Sequence, residues 1–117
     1  MKNKPFLQRL SFAIAGILCA VRSENSFRFH VLGACIVLVG LVMVRPSPAW
    51  CAVMILTVAM VLAAELFNTA LEHLADHLHP EQHPRIKIVK DCAAGAVLVI
   101  SLGALCVAGA FVWEYFL

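Results

Sequence analysis

The sequence has little charge. Aspartate, glutamate, lysine and arginine make up 14% of its 117 residues, whereas hydrophobic residues make up 62%; soluble domains carry about 25% charged residues. A soluble domain of this length exposes most of its surface, and so few charges would leave much of that surface apolar. The same scarcity of charge excludes a disordered chain. The composition predicts one small integral membrane domain.

Cysteine pairs, a glycine-rich phosphate loop and basic clusters are also missing. The five cysteines are Cys19, Cys35, Cys51, Cys92 and Cys106. They form no C-x-x-C pair and lie in apolar surroundings, so we expect free, buried side chains rather than disulfides or a thiolate metal site. The glycines of the last apolar run favour close helix packing over nucleotide binding. A net charge of only +2 gives no basic patch for a nucleic acid.

Long apolar runs are what the sequence has instead, and they lie at 31–44, 49–64 and 92–112. The last run can cross a hydrocarbon core of ~30 Å unaided, and the first two do so once they are extended as helices. Proline-containing segments separate the runs. Within a single domain covering 1–117 we therefore predict helices that contain three membrane spans, at 29–44, 49–78 and 91–113.

The segment before the first run has a different pattern. Apolar residues recur at helical spacing over 5–22, beside Lys2, Lys4 and Arg9. This pattern predicts an amphipathic helix that lies in the membrane surface. Arg9 and Ser11 interrupt the apolar stretch, which disfavours a signal peptide.

The basic residues give the orientation of the predicted spans. Eight of the nine would lie on one side of the membrane: Lys2, Lys4, Arg9, Arg22, Arg28, Arg85, Lys87 and Lys90. Only Arg45 would lie on the other side. An excess of lysine and arginine marks the cytoplasmic face, so we predict that the N-terminus and the segment 73–90 are cytoplasmic. Trp50, Trp113 and Tyr115 would then anchor the outer interface.

The acidic residues collect on the same side. Six of the seven would lie at or near the cytoplasmic face: Glu24, Glu65, Glu72, Asp76, Glu81 and Asp91. Glu65 follows a long apolar run and should lie at the edge of the hydrocarbon. A carboxylate in that position costs several kcal/mol by order of magnitude, and it is a candidate for a functional site.

Glu65 also begins a polar stripe. Glu65, Asn68, Glu72 and Asp76 are spaced by three or four residues and share one face of a helix. Their like charges repel, so a counter-charge is expected, either a divalent cation or the basic residues Arg28, Lys87 and Lys90. Carboxylate and amide oxygens suit Mg²⁺, which proteins hold with one or two carboxylates together with phosphate oxygens. The stripe therefore indicates phosphate chemistry at the membrane surface.

Two other interpretations of the polar residues stay open at this point. The acidic stripe could be a polar seam that holds together a non-catalytic membrane assembly. His73 and His77 are four residues apart and could bind zinc with a neighbouring carboxylate. A transporter is disfavoured because the chain lacks a second intramembrane charge and a repeat with broken helices.

Three segments resemble the prokaryotic diacylglycerol kinase family, which includes the undecaprenol kinases. They are SENSFR at 23–28, ELFNTALE at 65–72 and KDCAAGAV at 90–97. They occur in the family's order, and the likeness extends over about 6–112. The E-x-x-N-x-x-x-E block is the most specific of the three.

The resemblance implies a fold, an activity and a location. Members of the family are homotrimers in the bacterial cytoplasmic (inner) membrane, with three transmembrane helices and an amphipathic surface helix in each subunit. Their active sites are shared between subunits on the cytoplasmic side. They transfer the γ-phosphate of ATP, with Mg²⁺, to the hydroxyl of a membrane lipid.

The resemblance also implies roles for individual residues. Glu65 matches the catalytic base and Asn68 an active-site amide, while Glu24 and Glu72 match the carboxylates that bind the metal and position ATP. Nucleotide-contacting positions correspond to Lys90 and Asp91, and Glu81 and His83 fall where the family's loop approaches the nucleotide.

The sequence departs from the best-known diacylglycerol kinases at two positions. Phe12 stands where they have a nucleotide-contacting tyrosine, and His30 stands where they have a glutamate. The sequence Arg28-Phe29-His30 and the segment 83–95 are closer to the undecaprenol kinases. The acceptor expected from the resemblance is therefore undecaprenol or diacylglycerol, and these two features favour undecaprenol.

Overall fold

The computed structural model describes residues 2–117. Over that range the chain forms helices and no strand, as the sequence predicts. The helices are α1 (Phe6–Ser23), α2 (Asn25–Val44), α3 (Pro48–Leu78) and α4 (Pro84–Phe116).

Two helices begin earlier than the sequence predicts. Helix α2 starts at Asn25 rather than at 29, and α4 starts at Pro84 rather than at 91. Proline suits the first turn of a helix because its φ is already helical and the N–H that it lacks would have no partner there. The imidazole of His83 caps this helix, with Nδ1 accepting a hydrogen bond from the backbone N–H of Arg85 at 3.1 Å. Pro84 therefore begins a helix instead of interrupting one.

The turn between α2 and α3 is fixed by similar local chemistry. Arg45 ends α2 in the left-handed conformation at φ 53°, and the Ser47 hydroxyl accepts from the backbone N–H of Trp50 at 3.4 Å to cap α3. The backbone N–H of Ser47 also donates to the phenolic oxygen of Tyr115 at 3.0 Å. This bond places the turn and the C-terminal end of α4 at the same end of the molecule.

Helices α3 and α4 are longer than a membrane requires. Their 31 and 33 residues correspond to about 46 and 50 Å, whereas a hydrocarbon core is ~30 Å thick. They make the most extensive helix–helix contact of the described chain. The C-terminal part of α3 (65–78) and the N-terminal part of α4 (84–91) therefore extend beyond the apolar runs. We call this pair of helix ends the stem.

By length and composition, every helix of the described range could cross a membrane, including α1. Helix α1 has the lowest mean hydropathy of the set and carries Arg9 and Arg22. Its position along the membrane surface remains a prediction.

A buried seam runs along α2 and α3. On α2 the buried residues recur every seventh position, at Phe27, Ala34 and Leu41. On α3 the same spacing relates Met54, Val61 and Ala75. Asn68 occupies the remaining position of this register, and Glu65 lies one turn beyond Val61 on the same side. Two polar residues of the predicted stripe therefore lie where apolar side chains pack elsewhere along the helix.

The cysteines are free, as predicted, but the prediction that they are buried is wrong for the single chain. Cys51 is half-buried, whereas Cys19, Cys35, Cys92 and Cys106 are exposed. Their helices present apolar faces outward, where lipid would cover them. A cysteine of a membrane protein can therefore be covered by lipid while it is exposed on the surface of the single chain.

An aromatic cluster closes the end of the molecule opposite Glu65. The ring of Phe111 lies 5.6 Å from that of Trp50 and 5.0 Å from that of Tyr115. Two of the predicted interface anchors, Trp50 and Tyr115, are thus half-buried and pack against Phe111. Trp113, at 71% exposed, does not.

We expect Phe111→Ala to destabilise the protein by about 3 kcal/mol, since it leaves a cavity among the rings that its neighbours cannot fill. Thermal unfolding in detergent should show the loss, and Trp113→Ala, which removes an exposed ring, is the control. Equal losses in the two variants would contradict the packing role of Phe111.

Candidate active site

Glu65 is the buried charged residue of the described chain, with only 4% of its surface exposed. Both of its carboxylate oxygens face groups from α2. The hydroxyl of Ser26 donates to Oε2 at 3.1 Å, and Nδ1 of His30 is in contact with Oε1 as an ion pair when the imidazole is protonated. We call Glu65, Ser26 and His30 the carboxylate cluster.

The sequence of α2 explains how two of its side chains reach one carboxylate. Ser26 and His30 are four residues apart, so they lie one above the other on the same face of the helix. Phe27, 2% exposed, anchors this turn of α2 against its neighbours. The face that carries Ser26 and His30 is thereby held against α3 at the level of Glu65.

Asn68 lies one helical turn beyond Glu65. Its Oδ1 atom is buried and finds no hydrogen-bond partner within residues 2–117. A buried acceptor without a partner costs roughly 1–3 kcal/mol. Such an atom next to a buried carboxylate indicates a place where a ligand or another chain supplies the missing donor.

The remainder of the stripe becomes more exposed toward the end of α3. Asn68 and Glu72 are half-buried, while Asp76 is exposed. The ammonium of Lys90 on α4 lies 2.5 Å from Oδ1 of Asp76. This ion pair joins the two helices of the stem.

Of the three basic residues predicted as counter-charges, Lys90 pairs with the stripe, whereas Arg28 and Lys87 have other partners within the described chain. The guanidinium of Arg28 donates to the backbone carbonyls of Val21 and Arg22 at 3.3 and 3.1 Å. It therefore binds the C-terminal end of α1, where a cation is favoured by the helix dipole. Lys87 pairs with Asp91 on its own helix at 2.5 Å.

Lys90 is electrostatically coupled to the acidic stripe. The hydrogen bond to Asp76 raises the pKa of Lys90 above its usual value; partial burial opposes the shift, and the charges of Asp76 and Glu72 add to it. A raised lysine pKa keeps the ammonium charged throughout the neutral range. Lys90 is thus a fixed positive charge close to Glu72.

A pocket lies between the stem and the 79–83 connection, and we call it the loop pocket. It has a volume of about 570 Å³, and its lining includes Glu81, His83, Lys87 and Lys90. The structure thus brings together three of the predicted nucleotide-contacting residues. Lys87 is a further lining residue, and Asp91 is linked to the pocket through its ion pair with Lys87.

Glu24 lies at the junction of α1 and α2. Its backbone is extended, its N–H donates to the carbonyl of Ala20 at 2.9 Å, and its carbonyl accepts from the N–H of Arg28 at 3.1 Å. The half-buried side chain is therefore held at the same end of the molecule as Ser26. Phe12 lies farther back along α1, with 39% of its surface exposed.

An apolar groove leads to the carboxylate cluster. It has a volume of about 370 Å³ and is formed by α2, α3 and α4, with His30, Val61 and Leu62 among its lining residues. Because His30 also contacts Glu65, the imidazole lies between the groove and the buried carboxylate. The groove could accept a hydrocarbon chain whose polar end lies near Glu65.

The predictions of a Mg²⁺ site and of a zinc site can both be compared with the side-chain donor atoms of the described residues. Within the described range, no group of three His, Cys, Asp or Glu side chains is arranged to hold a metal ion. The zinc interpretation of His73 and His77 therefore lacks a complete ligand set there. Mg²⁺ needs only one or two carboxylates when phosphate oxygens complete its coordination, so Glu24 and Glu72 fit that ion as donors.

Sequence analysis missed the role of Ser26 and His30 as neighbours of Glu65. Their spacing of four residues was a usable signal, because it indicates a shared helical face. The identity of the side chain opposite that face depends on how α2 packs on α3, and periodicity along one helix cannot give it.

The fold and the site together define a class. A helical membrane protein with a buried carboxylate between an apolar groove and a lysine-lined pocket has the features of an enzyme that joins a lipid to a polar, anionic substrate.

The comparisons with known proteins specify this class. Residues 11–112 match the model of the family "Prokaryotic diacylglycerol kinase". The chain is 36% identical over 97 residues to an undecaprenol kinase of Bacillus subtilis, covering 83% of this chain and 79% of the relative.

Two further relatives are diacylglycerol kinases. The one from Synechocystis is 36% identical over 99 residues, which cover 84% of this chain and 57% of the relative. The one from Pseudomonas aeruginosa is 32% identical over 96 residues, covering 82% and 78% respectively. The chain belongs to the prokaryotic diacylglycerol kinase family, and it is a membrane lipid kinase that uses ATP and a lipid alcohol.

Proposed function

We propose that this kinase transfers the γ-phosphate of Mg-ATP to the hydroxyl of undecaprenol at the cytoplasmic face of the bacterial inner membrane. The observation that carries the proposal is the position of Glu65, which is buried between an apolar groove and the polar stem. The undecaprenol kinase of Bacillus subtilis is 36% identical to this chain, and it supports undecaprenol as the acceptor rather than diacylglycerol.

In the proposed reaction, Glu65 accepts the proton of the lipid hydroxyl while the hydroxyl oxygen attacks the γ-phosphorus. The bond between that phosphorus and the bridging oxygen breaks, and ADP leaves. Phosphoryl transfer depends mainly on positioning and on charge neutralisation. Asn68, next to the base, would donate its amide N–H to a reacting oxygen.

The nucleotide would be held by the stem and the loop pocket. Glu24 and Glu72 would hold Mg²⁺, which neutralises phosphate charge when it is bound. Lys90 supplies a fixed positive charge beside Glu72, and Lys90, Glu81 and His83 line the loop pocket. Asp91 would act by holding Lys87 in place.

The proposed orientation follows from charge. Arg22, Arg28, Arg85, Lys87 and Lys90 belong to the segments beside Glu65 and the loop pocket, and the predicted surface orientation of α1 adds Lys2, Lys4 and Arg9. Arg45 lies at the turn that is bonded to Tyr115. The positive-inside rule then directs Glu65 and the loop pocket to the cytoplasm.

We also propose a homotrimer with shared sites. The buried, unpartnered Oδ1 of Asn68 within residues 2–117 and the exposed apolar faces of the helices support a partner chain. Light scattering of the detergent-solubilised protein should give the mass of three chains; a monomer with full activity would contradict shared sites.

The decisive experiment uses purified protein in lipid vesicles with γ-labelled ATP, Mg²⁺ and either undecaprenol or diacylglycerol. We expect labelled lipid from undecaprenol and much less from diacylglycerol. The reverse ratio would overturn the proposed acceptor, and no labelled lipid from either alcohol would overturn the kinase reaction.

A further inference from the structure

We infer that His30 is a positioning residue for the base, and that its Nδ1–H fixes the direction of the Glu65 carboxylate. The inference deepens the proposed function, on which it rests for the role of Glu65. Its basis is the contact between His30 Nδ1 and Glu65 Oε1 across the α2–α3 interface.

The protonation of the imidazole follows from the chemistry of its neighbour. An ionised carboxylate only accepts hydrogen bonds, so the nitrogen that faces it must carry the hydrogen. His30 therefore presents Nδ1–H to Glu65, either as the Nδ1–H neutral tautomer or as the imidazolium. In both forms Nδ1–H faces Oε1, with which Nδ1 is in ion-pair contact without the alignment of a hydrogen bond in this structure.

Two side chains from one helix face contact the two oxygens of Glu65. The hydroxyl of Ser26 donates to Oε2 at 3.1 Å, whereas Nδ1 of His30 is in ion-pair contact with Oε1 and is not aligned as a hydrogen bond. A carboxylate has about four lone-pair positions, so each oxygen keeps one for the lipid hydroxyl. With one oxygen hydrogen-bonded and the other in contact with the imidazole, the carboxylate is restricted in its rotation and its remaining lone pairs have a defined direction.

The imidazole is also placed to meet the acceptor. Its Nδ1 atom is buried and has no hydrogen-bond partner within residues 2–117, yet 35% of the side chain is exposed, and the residue lines the apolar groove. A hydroxyl at the polar end of a lipid in that groove would approach Glu65 past His30. The geometry therefore couples the position of the base to the path by which the acceptor arrives.

The first test replaces His30 and separates kcat from KM. His30→Leu removes the donor and should lower kcat for lipid phosphorylation by ~10- to 100-fold, the range expected when a reacting group is misplaced, with the KM for ATP unchanged. His30→Asn keeps an N–H near the position of Nδ1 and should restore most of the activity. His30→Gln, whose amide reaches the position of Nε2 instead, should remain low.

His77→Leu, which removes an exposed histidine of α3, is the matched control and should keep parental activity. Two results would overturn the inference: His30→Leu with a kcat within twofold of the parent, or His30→Asn no more active than His30→Leu. Thermal unfolding of each variant separates misfolding from misplacement, since a purely structural role predicts activity that follows stability.

The second test does not depend on activity. Nitrogen NMR of the histidine-labelled protein in detergent should show His30 with hydrogen on Nδ1, and Glu65→Leu should shift that signal while the His77 signal stays in place. An unchanged His30 signal would overturn the contact itself. If the parent phosphorylates neither lipid but the NMR result holds, the proposed function fails while the His30–Glu65 pair stands.

Discussion

Glu65→Gln should reduce lipid phosphorylation by ~10²- to 10⁴-fold, the range that general base catalysis contributes. Glutamine keeps the size of the side chain, and its one carbonyl oxygen can still accept from Ser26 while its NH2 replaces the other oxygen, but it cannot take the proton of the attacking hydroxyl. We therefore expect kcat to fall while the KM for ATP changes little. Steady-state kinetics in vesicles with γ-labelled ATP measure both constants.

The control for this variant is Glu114→Gln, which changes the same residue type at the other end of the chain and should leave activity unchanged. Unfolding temperatures of the two variants should stay near that of the parent. Glu65→Gln with activity within tenfold of the parent would exclude Glu65 as the base, and the proton would then have to leave the hydroxyl by another route.

The fold was largely predictable because apolar runs and proline positions are local signals. The range predicted for the second span, 49–78, agrees closely with α3 at Pro48–Leu78. The start of α4 at Pro84 differs from the predicted 91, because Pro84 belongs to a proline-containing segment between two apolar runs. Its placement directly after His83, a side chain able to cap, is the pattern of a helix beginning.

The stem shows why the polar part of the fold was harder to predict. Apolar runs end at 64 and resume at 92, so hydropathy does not reveal that α3 and α4 continue side by side beyond them. The ion pair between Lys90 and Asp76 joins residues on different helices. Such a pair depends on the register between helices, which no periodicity within one helix contains.

The candidate site divides in the same way. Glu65 could be found from the sequence because placing a carboxylate at the edge of the hydrocarbon costs free energy. Such a residue is therefore a candidate for a functional site. Ser26 and His30 carry no such cost signal, since both are ordinary residues in the first turns of a helix. Their importance comes from the packing of α2 on α3. The roles of Glu24 and Glu72 come from family resemblance and remain proposals.

Glu72→Gln tests the proposed metal role and should affect a different constant from Glu65→Gln. Removing one of the two proposed Mg²⁺ ligands would weaken the binding of the cation that neutralises phosphate charge. We therefore expect a loss of ~100-fold in kcat/KM for ATP, comparable to the loss of one electrostatic contact in other active sites. The Mg²⁺ concentration for half-maximal activity should rise as well. A titration of activity against Mg²⁺ at fixed ATP measures this shift.

The charge balance around Lys90 makes this prediction specific. Glu72 and Asp76 both act on Lys90, so a purely electrostatic link would give Asp76→Asn the same phenotype as Glu72→Gln. If Glu72 binds the metal, only Glu72→Gln raises the Mg²⁺ requirement, because Asp76 is already paired with Lys90. Equal Mg²⁺ requirements in the two variants would mean that the stripe acts through Lys90, and that the metal is held elsewhere.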